Sequence, residues 1–188
     1  METRNNYLIN EMTVLLYGVW NEYGELFTFI IDGTDSFFVT MQPIKLIDKS
    51  IICYGSSLKG ALESAKKLLG ENRHMYPIKV DALLDIWLFP TKSYKKDNCI
   101  WFALNHVKNT KAVDINRTKV FLNYGHEIEI IMRESSFRNK RGSASDLRDM
   151  IFSNTKKSQD CIASLQEGLI IIEEKGQYKW RVSKKDEL

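Results

Sequence analysis

The sequence predicts an α+β fold built mainly on an antiparallel sheet or meander, with two to three helices and a C-terminal hairpin. Three observations carry this prediction. Apolar, β-branched and aromatic residues recur in short runs between turn residues. Helical spacing of apolar residues is confined to two or three stretches. The chain also closes on two apolar runs that flank a turn at 174–176.

The first 54 residues predict a meander of about four short strands. Residues 12–20 and 25–31 are two apolar runs that read as a hairpin. A second turn at 32–35 leads into a third run at 36–41. Pro43 interrupts the pattern, and residues 44–54, rich in isoleucine, are predicted to continue as a strand.

A helix is predicted over residues 58–69, where six apolar residues fall on one stripe: Leu58, Ala61, Leu62, Ala65, Leu68 and Leu69. Ser56 or Ser57 is the predicted N-cap, because a seryl oxygen accepts a hydrogen bond from a first-turn N–H. Gly70 is the predicted stop signal.

The rest of the chain alternates predicted strands and helices. A hairpin is predicted around 123–125, and the last hairpin pairs 169–172 with 178–182. The remaining predicted strands are 78–80, 86–89, 100–104 and 111–115, and the predicted helices are 135–153 and 156–166.

Charge is distributed unevenly along the chain. Residues 1–55 carry a net charge of −4, residues 56–157 carry +8 and residues 158–188 carry −1. A basic middle segment is typical of a protein that binds a polyanion. A solvated, lysine-rich surface would give the same pattern, so charge alone leaves both interpretations open.

The sequence predicts no catalytic, metal or cofactor site. Residues 56–59 match the S-x-x-K of serine acyl-enzymes, but the companion S-D-N and K-T-G strings do not occur. The chain contains no P-loop and no G-x-G-x-x-G. Its potential metal ligands lack ligand spacing: His74, His106, His126, Cys53, Cys99 and Cys161.

The expected location is the cytoplasm. Three cysteines without disulfide-type spacing are typical of a reducing compartment. The first 20 residues lack the features of a signal peptide, and no apolar run reaches the length of a membrane span.

Two basic clusters are the candidate DNA-binding residues. Lys92, Lys95 and Lys96 lie in a loop that should be exposed, and the second cluster begins the helix predicted at 135–153. Cations at a helix N-terminus are disfavoured by the macrodipole, so their presence favours an anionic partner, although a solvated helix start would tolerate them as well and the clusters alone leave both interpretations open. The second cluster comprises Arg138, Asn139, Lys140, Arg141 and Arg148. Ser56 and Ser57 are further candidates, because N–H groups at a helix start bind anions.

Five segments resemble the ComK family, in the same order along the chain. They are residues 38–44 (FVTMQPI), 54–60 (YGSSLKG), 87–93 (WLFPTKS), 99–102 (CIWF) and 136–141 (SFRNKR). The resemblance covers about residues 36–152. It departs from the family at Ile100, where the family has glycine, and ends at about Asn154, which places family functions of the C-terminus in doubt.

The resemblance implies a bacterial transcription factor that activates competence genes for DNA uptake and is not an enzyme. It implies binding to paired AT-rich boxes of double-stranded DNA through the minor groove, as a homodimer or a dimer of dimers. It also implies an adaptor protein and a Clp protease as partners, with RNA polymerase as an open further partner. The DNA-binding domain would span 1–153, and 154–188 would be an appendage or part of the same domain.

Two alternatives stay open on the sequence. In the first alternative, the chain is a protein-binding regulator that does not bind DNA. In the second, it is a serine hydrolase that uses Ser56 and Lys59.

Overall fold

The computed structural model describes residues 2–73, 75–163 and 169–182 of the 188-residue chain. The chain divides into two compact units, Met1–Met150 and Ile151–Leu188. In the described part of the chain, no helix combines the length and the apolar character that crossing a membrane requires.

A seven-stranded sheet organises the first unit. Its order is β1-β4-β3-β2-β7-β6-β5, and neighbouring strands are antiparallel except β1 and β4, which are parallel. The strands are β1 (Thr3–Arg4), β2 (Thr13–Trp20), β3 (Leu26–Asp32), β4 (Asp35–Val39), β5 (Ile78–Asp81), β6 (Ile86–Pro90) and β7 (Ile100–Ala103). The predicted hairpin of residues 12–20 and 25–31 is therefore confirmed as β2 and β3.

A three-stranded antiparallel sheet of order β10-β9-β8 follows. It comprises β8 (Val107–Ala112), β9 (Thr118–Leu122) and β10 (Glu127–Ile130). The hairpin predicted around 123–125 is confirmed, with Gly125 at φ +80 in the turn. The strand predicted at 111–115 begins earlier than expected, because residues 107–110 pair with β9 and residues 113–115 belong to the turn.

The helices are α1 (Pro43–Cys53), α2 (Leu58–Leu69) and α3 (Glu134–Ala163). The helix predicted at 58–69 is confirmed, and Ser57 is its N-cap, because its side chain accepts a hydrogen bond from the Gly60 N–H at 3.1 Å. Gly70 follows the last helical residue with φ +89, as the stop signal predicted.

The strand predicted for residues 44–54 was wrong, because that segment is helix α1. Pro43 is the first residue of this helix, where proline costs no hydrogen bond. Leu46, Ile47 and Ile51 are fully buried at helical spacing, so burial of this stripe outweighs the strand preference of isoleucine.

The separate helix predicted at 156–166 was also wrong. Residues 156–163 continue α3, which runs for 30 residues, since neither glycine nor proline interrupts it between Gly142 and its end. Residues 164–166 lie outside the described residues. The terminal hairpin is confirmed as β11 (Leu169–Glu174) and β12 (Gln177–Val182).

The seven-stranded sheet is buried on both faces. Leu16, Leu88 and Trp101 belong to one buried cluster with residues of α1 and α2, such as Leu46 and Ala61. Because side chains alternate along a strand, the neighbours of Leu88 and Trp101 point to the opposite face. On that face Phe89 of β6 and Phe102 of β7 are paired in register and contact Phe137 of α3.

Replacing the cap by Ser57→Ala should lower the free energy of unfolding by about 1 kcal/mol, because an N–H of the first turn loses its acceptor. Urea unfolding of the two proteins measures this difference. Ser56→Ala is the matched control, since its side chain is exposed and Ser57 is the cap. Equal losses in both variants would contradict the assignment.

Candidate nucleic-acid interface

The rotation of α3 on the sheet is set by one buried face of the helix. Phe137, Ala144 and Leu147 are buried on this face at helical spacing. The ring of Phe137 packs edge-on against Phe89 and Phe102, with centroid distances of 5.4 and 5.1 Å. The residues next to this face are thereby directed to the edge of the helix that faces β8.

That neighbouring face carries arginines. Arg138, Arg141, Ser145 and Arg148 are spaced by three, four and three residues, which places them on one side of α3. They line one wall of an open groove of about 590 Å³. The other lining residues are Gly142 on the helix, Asn109 and Thr110 on β8, and Leu104 and Asn105 in a 3₁₀ turn. None of these lining residues carries a carboxylate.

Two of the arginines join α3 to β8. Arg141 donates to the carbonyl of Val107 at 2.6 Å, and Arg138 donates to Thr110 Oγ1 at 3.2 Å. Glu134 completes this junction: it accepts from Thr110 Oγ1 and from Arg138, both at 2.8 Å. The hydrogen bond from Thr110 is the main cause of the lowered pKa of Glu134, so its carboxylate stays charged.

Arg148 is held at the far end of the groove by Asp85. Its Nε and Nη2 donate to the two oxygens of Asp85, each at 2.7 Å. Asp85 also accepts from Trp87 Nε1 at 2.7 Å and from Asn105 Nδ2 at 2.9 Å. Burial alone would raise the pKa of Asp85, but the hydrogen bonds and the charge of Arg148 together lower it.

The structure separates the rest of the basic run from the groove. Asn139 is exposed and Lys140 is half-buried, and neither lines the groove. Lys140 Nζ approaches Met75 Sδ at 3.1 Å, and burial lowers the pKa of this amine. Adjacent residues on a helix differ by 100° in direction, so a contiguous basic run cannot form a single surface.

The lysine loop forms a second basic surface. Lys95 and Lys96 are exposed and line a shallow depression beside Trp20, whereas Lys92 is half-buried. The loop approaches β2 closely at Gly18, where a Cβ atom would lie 2.5 Å from the Asp97 carbonyl. These lysines do not line the arginine groove.

Ser56 and Ser57 belong to neither basic surface. They precede α2, which packs on the sheet face opposite the one that contacts Phe137. Both residues are exposed, and the turn before them uses Gly55 at φ +80. The structure therefore does not bring these serines to the arginines.

The histidines that the structure describes are bound to backbone carbonyls. His106 is buried, donates from Nε2 to Glu11 at 2.7 Å and faces the Asn123 amide with Nδ1. His126 Nε2 lies 2.8 Å from the carbonyl of Gly33. Cys53 is exposed and Cys99 is buried. The described residues contain no group of three His, Cys, Asp or Glu side chains that would hold a metal ion, and His74 lies outside them.

Sequence reasoning missed the neutral half of the groove. Asn105, Asn109 and Thr110 come from β8 and the turn before it, and no local pattern marks them. Gly142 and Ser145 carry a detectable signal, because Gly142 lies four residues after Arg138 and Ser145 lies four residues after Arg141, on the same side of the helix.

Comparison with known proteins matches this chain to the family model described as ComK protein, over residues 4–156. The chain is 32% identical, over 117 residues, to the competence transcription factor of Bacillus subtilis (strain 168). The match covers 62% of this chain and 60% of that protein, less than two thirds of its length. No solved structure matches this chain.

Replacing Asp85 by asparagine should lower the free energy of unfolding by about 1–2 kcal/mol at neutral pH, because the half-exposed guanidinium of Arg148 loses its charged partner. Asparagine tolerates the positive φ of 53 at this position, so backbone strain does not confuse the result.

The difference between the two proteins depends on pH. The pKa of Asp85 is lowered by folding, so its contribution is complete above the unfolded pKa of about 4 and is lost as the pH falls through the folded pKa. Urea unfolding from about pH 7 to about pH 3 tests this, with the exposed Asp146→Asn as control. A difference between wild type and Asp85→Asn that stays constant with pH would contradict the assignment.

Proposed function

The chain belongs to the ComK family, and on that premise we propose that it activates competence genes by binding AT-rich duplex DNA through the minor groove. The observation that carries the proposal is the arginine groove, whose lining includes three guanidinium groups and no carboxylate. A groove of this kind attracts phosphates from either strand of a duplex.

The dimensions of the groove suit a nucleic-acid backbone. Arg138 and Arg148 are ten residues apart, which corresponds to about 15 Å along the helix axis. Duplex DNA rises about 3.4 Å per base pair, so this wall spans between four and five base pairs. Arg138 keeps about two thirds of its side chain exposed while it contacts Glu134, which leaves the guanidinium accessible to a phosphate.

Asparagine and threonine side chains complete the surface. Asn105, Asn109 and Thr110 donate and accept hydrogen bonds in the same groove. The minor groove of AT-rich DNA is narrow and strongly negative, and inserted arginine or lysine side chains read it. Arg141 and Gly142 lie between the outer arginines. Because Gly142 has no side chain, open space remains there for a close approach of the DNA backbone.

The lysine loop supplies a second contact in this proposal. Lys95 and Lys96 project beside an exposed tryptophan, Trp20, and this combination suits a phosphate backbone. Lys92, Asn139, Lys140, Ser56 and Ser57 remain candidates, on surfaces that the groove does not include. Binding of an adaptor protein, a Clp protease and RNA polymerase stays a proposal that rests on the family alone.

The hydrolase alternative receives no support from the site. An acyl-enzyme lysine must lose its proton, which requires a desolvated amine. Lys59 is 88% exposed and lies 4.0 Å from Glu63, so its amine is not desolvated.

Self-association is proposed through the terminal hairpin. Ile171 is paired with Trp180, and alternation places Leu169 and Tyr178 on the same face of the ribbon. These four side chains are 59–72% exposed within a two-stranded sheet, which is marginally stable in isolation. A homodimer, or a dimer of dimers on DNA, would cover this apolar face with its equivalent in a second copy.

Replacing Arg138 and Arg141 by alanine should weaken DNA binding by several kcal/mol if each contact is worth about 1–3 kcal/mol, and should reduce the salt dependence of binding. Fluorescence anisotropy with AT-rich and GC-rich duplexes at two salt concentrations measures both effects. Lys140→Ala is measured separately, since this residue lies outside the groove.

The matched control is Lys66→Ala with Lys67→Ala, which removes two exposed cations from α2. The control should keep the wild-type affinity. A folded Arg138/Arg141 variant with unchanged affinity would refute the site assignment. Wild-type binding that is weak and insensitive to salt would favour a protein-binding regulator instead.

Assembly on two boxes is tested by inserting about five base pairs, half a helical turn, between two AT-rich sites. Cooperating copies should lose affinity, because the second copy then faces the wrong side of the duplex. Ile171→Ser with Trp180→Ser should remove this sensitivity to spacing while single-box binding persists. Binding that is indifferent to the insertion in the wild type would show independent monomers.

A further inference from the structure

The tip of the β8–β9 hairpin carries an exposed apolar side chain. Residues 113–117 form this tip, closed by a hydrogen bond from the Val113 N–H to the Arg117 carbonyl at 2.9 Å. Ile115 is 79% exposed at the tip, and Ile131, just after β10 at the same end of the sheet, is 82% exposed. The two isoleucines leave apolar surface available to a partner at this end of the sheet.

The tip is held in one shape. Asp114 accepts from the Asn116 N–H at 2.8 Å and from Arg117 Nε at 2.6 Å. Arg133, which precedes α3, donates to Asn116 Oδ1 at 3.4 Å and ties the tip to the end of β10. Ile115 therefore projects from a turn that these hydrogen bonds hold in place, so ordering it on binding costs little.

Three exposed basic side chains lie near the tip. Lys111 is exposed on β8, and Arg117 and Arg133 are exposed on either side of the isoleucines. The acidic groups near the tip are Asp114, which is paired with Arg117, and Glu129, whose field also acts on Arg117. Glu134, which is paired with Arg138, bonds the backbone of Ala112 just before the tip. An apolar tip flanked by cations is complementary to a partner with apolar and anionic parts side by side.

The tip is continuous with the arginine groove. Along β8, Val107 binds Arg141 and Thr110 binds Arg138, so the strand follows α3 toward the start of the helix. The strand ends at Ala112, and the next residues form the tip. A duplex whose phosphates lie along the groove would thus meet Ile115 where the groove ends.

We propose that Ile115 is a wedge that enters the minor groove and partly unstacks one base step of the bound duplex, bending it. The inference rests on the proposed DNA-binding function and adds to it a residue that reads the deformability of the duplex. Base steps have apolar faces inside an anionic backbone, which is the combination that this tip fits. Apolar wedges of isoleucine, leucine or phenylalanine kink DNA in this way, and flexible TA steps yield most easily.

The experiment compares Ile115→Ser with Leu83→Ser. Both residues are exposed apolar side chains in turns, and Leu83 is 96% exposed. The full-length proteins are mixed with an AT-rich duplex that carries 2-aminopurine at its TA steps and a fluorophore at each end. The adenine analogue brightens when it unstacks, and energy transfer between the ends measures the bend.

Wild-type protein and Leu83→Ser should both raise the 2-aminopurine signal and shorten the end-to-end distance. Ile115→Ser should lose both signals and bind about tenfold more weakly, and Ile115→Leu should restore them. Bending and unstacking that survive in Ile115→Ser would overturn the wedge and leave a protein as the occupant of the tip. In that case the Arg138/Arg141 variant still decides the DNA-binding function independently, because its readout is affinity and salt dependence.

Discussion

The packing of Phe137 against Phe89 and Phe102 is the contact on which the candidate site depends. These three rings meet where α3 covers the sheet, with centroid distances of 5.1–5.7 Å, and all three are buried. Burial of Phe137 fixes which side of the helix meets the sheet. Since neighbouring residues on a helix differ by 100°, Arg138 must then emerge at the edge that faces β8. The hydrophobic contact thus determines where the charge is presented.

Three arginines on one side of a helix repel each other unless their charge is balanced. Glu134 balances Arg138 at the start of α3, and Asp85 balances Arg148 three turns later. Arg141 lies between them, and within the described part of the chain its acceptor is the carbonyl of Val107. The groove is therefore neutralised at its two ends and keeps its excess of positive charge in the middle, where a phosphate gains the most from entering.

The elements that could be predicted from the sequence are those in which turn residues, caps and the spacing of apolar residues all indicate the same structure. The β2–β3 hairpin, α2 with its seryl cap and the terminal hairpin are of this kind. The prediction failed at residues 44–54, because a run rich in isoleucine fits both the strand period and the helix period. Only packing against the sheet selects the helix. The candidate site could likewise be predicted only in part, because packing decides which basic residues share one surface. Arg138, Arg141 and Arg148 converge, while Lys140 turns away, and that choice depends on Phe137 rather than on the basic run.

The polar wall of the groove follows from a second constraint, the free edge of the smaller sheet. β8 is an edge strand, and an edge strand invites pairing with other chains. Exposed Lys108 and Lys111 and the irregular register between Val107 and Asn109 oppose such pairing. The Val107 carbonyl is taken by Arg141 instead of by another strand. Cationic and polar side chains protect an edge from strand addition, and a surface facing phosphates requires the same kinds of side chain.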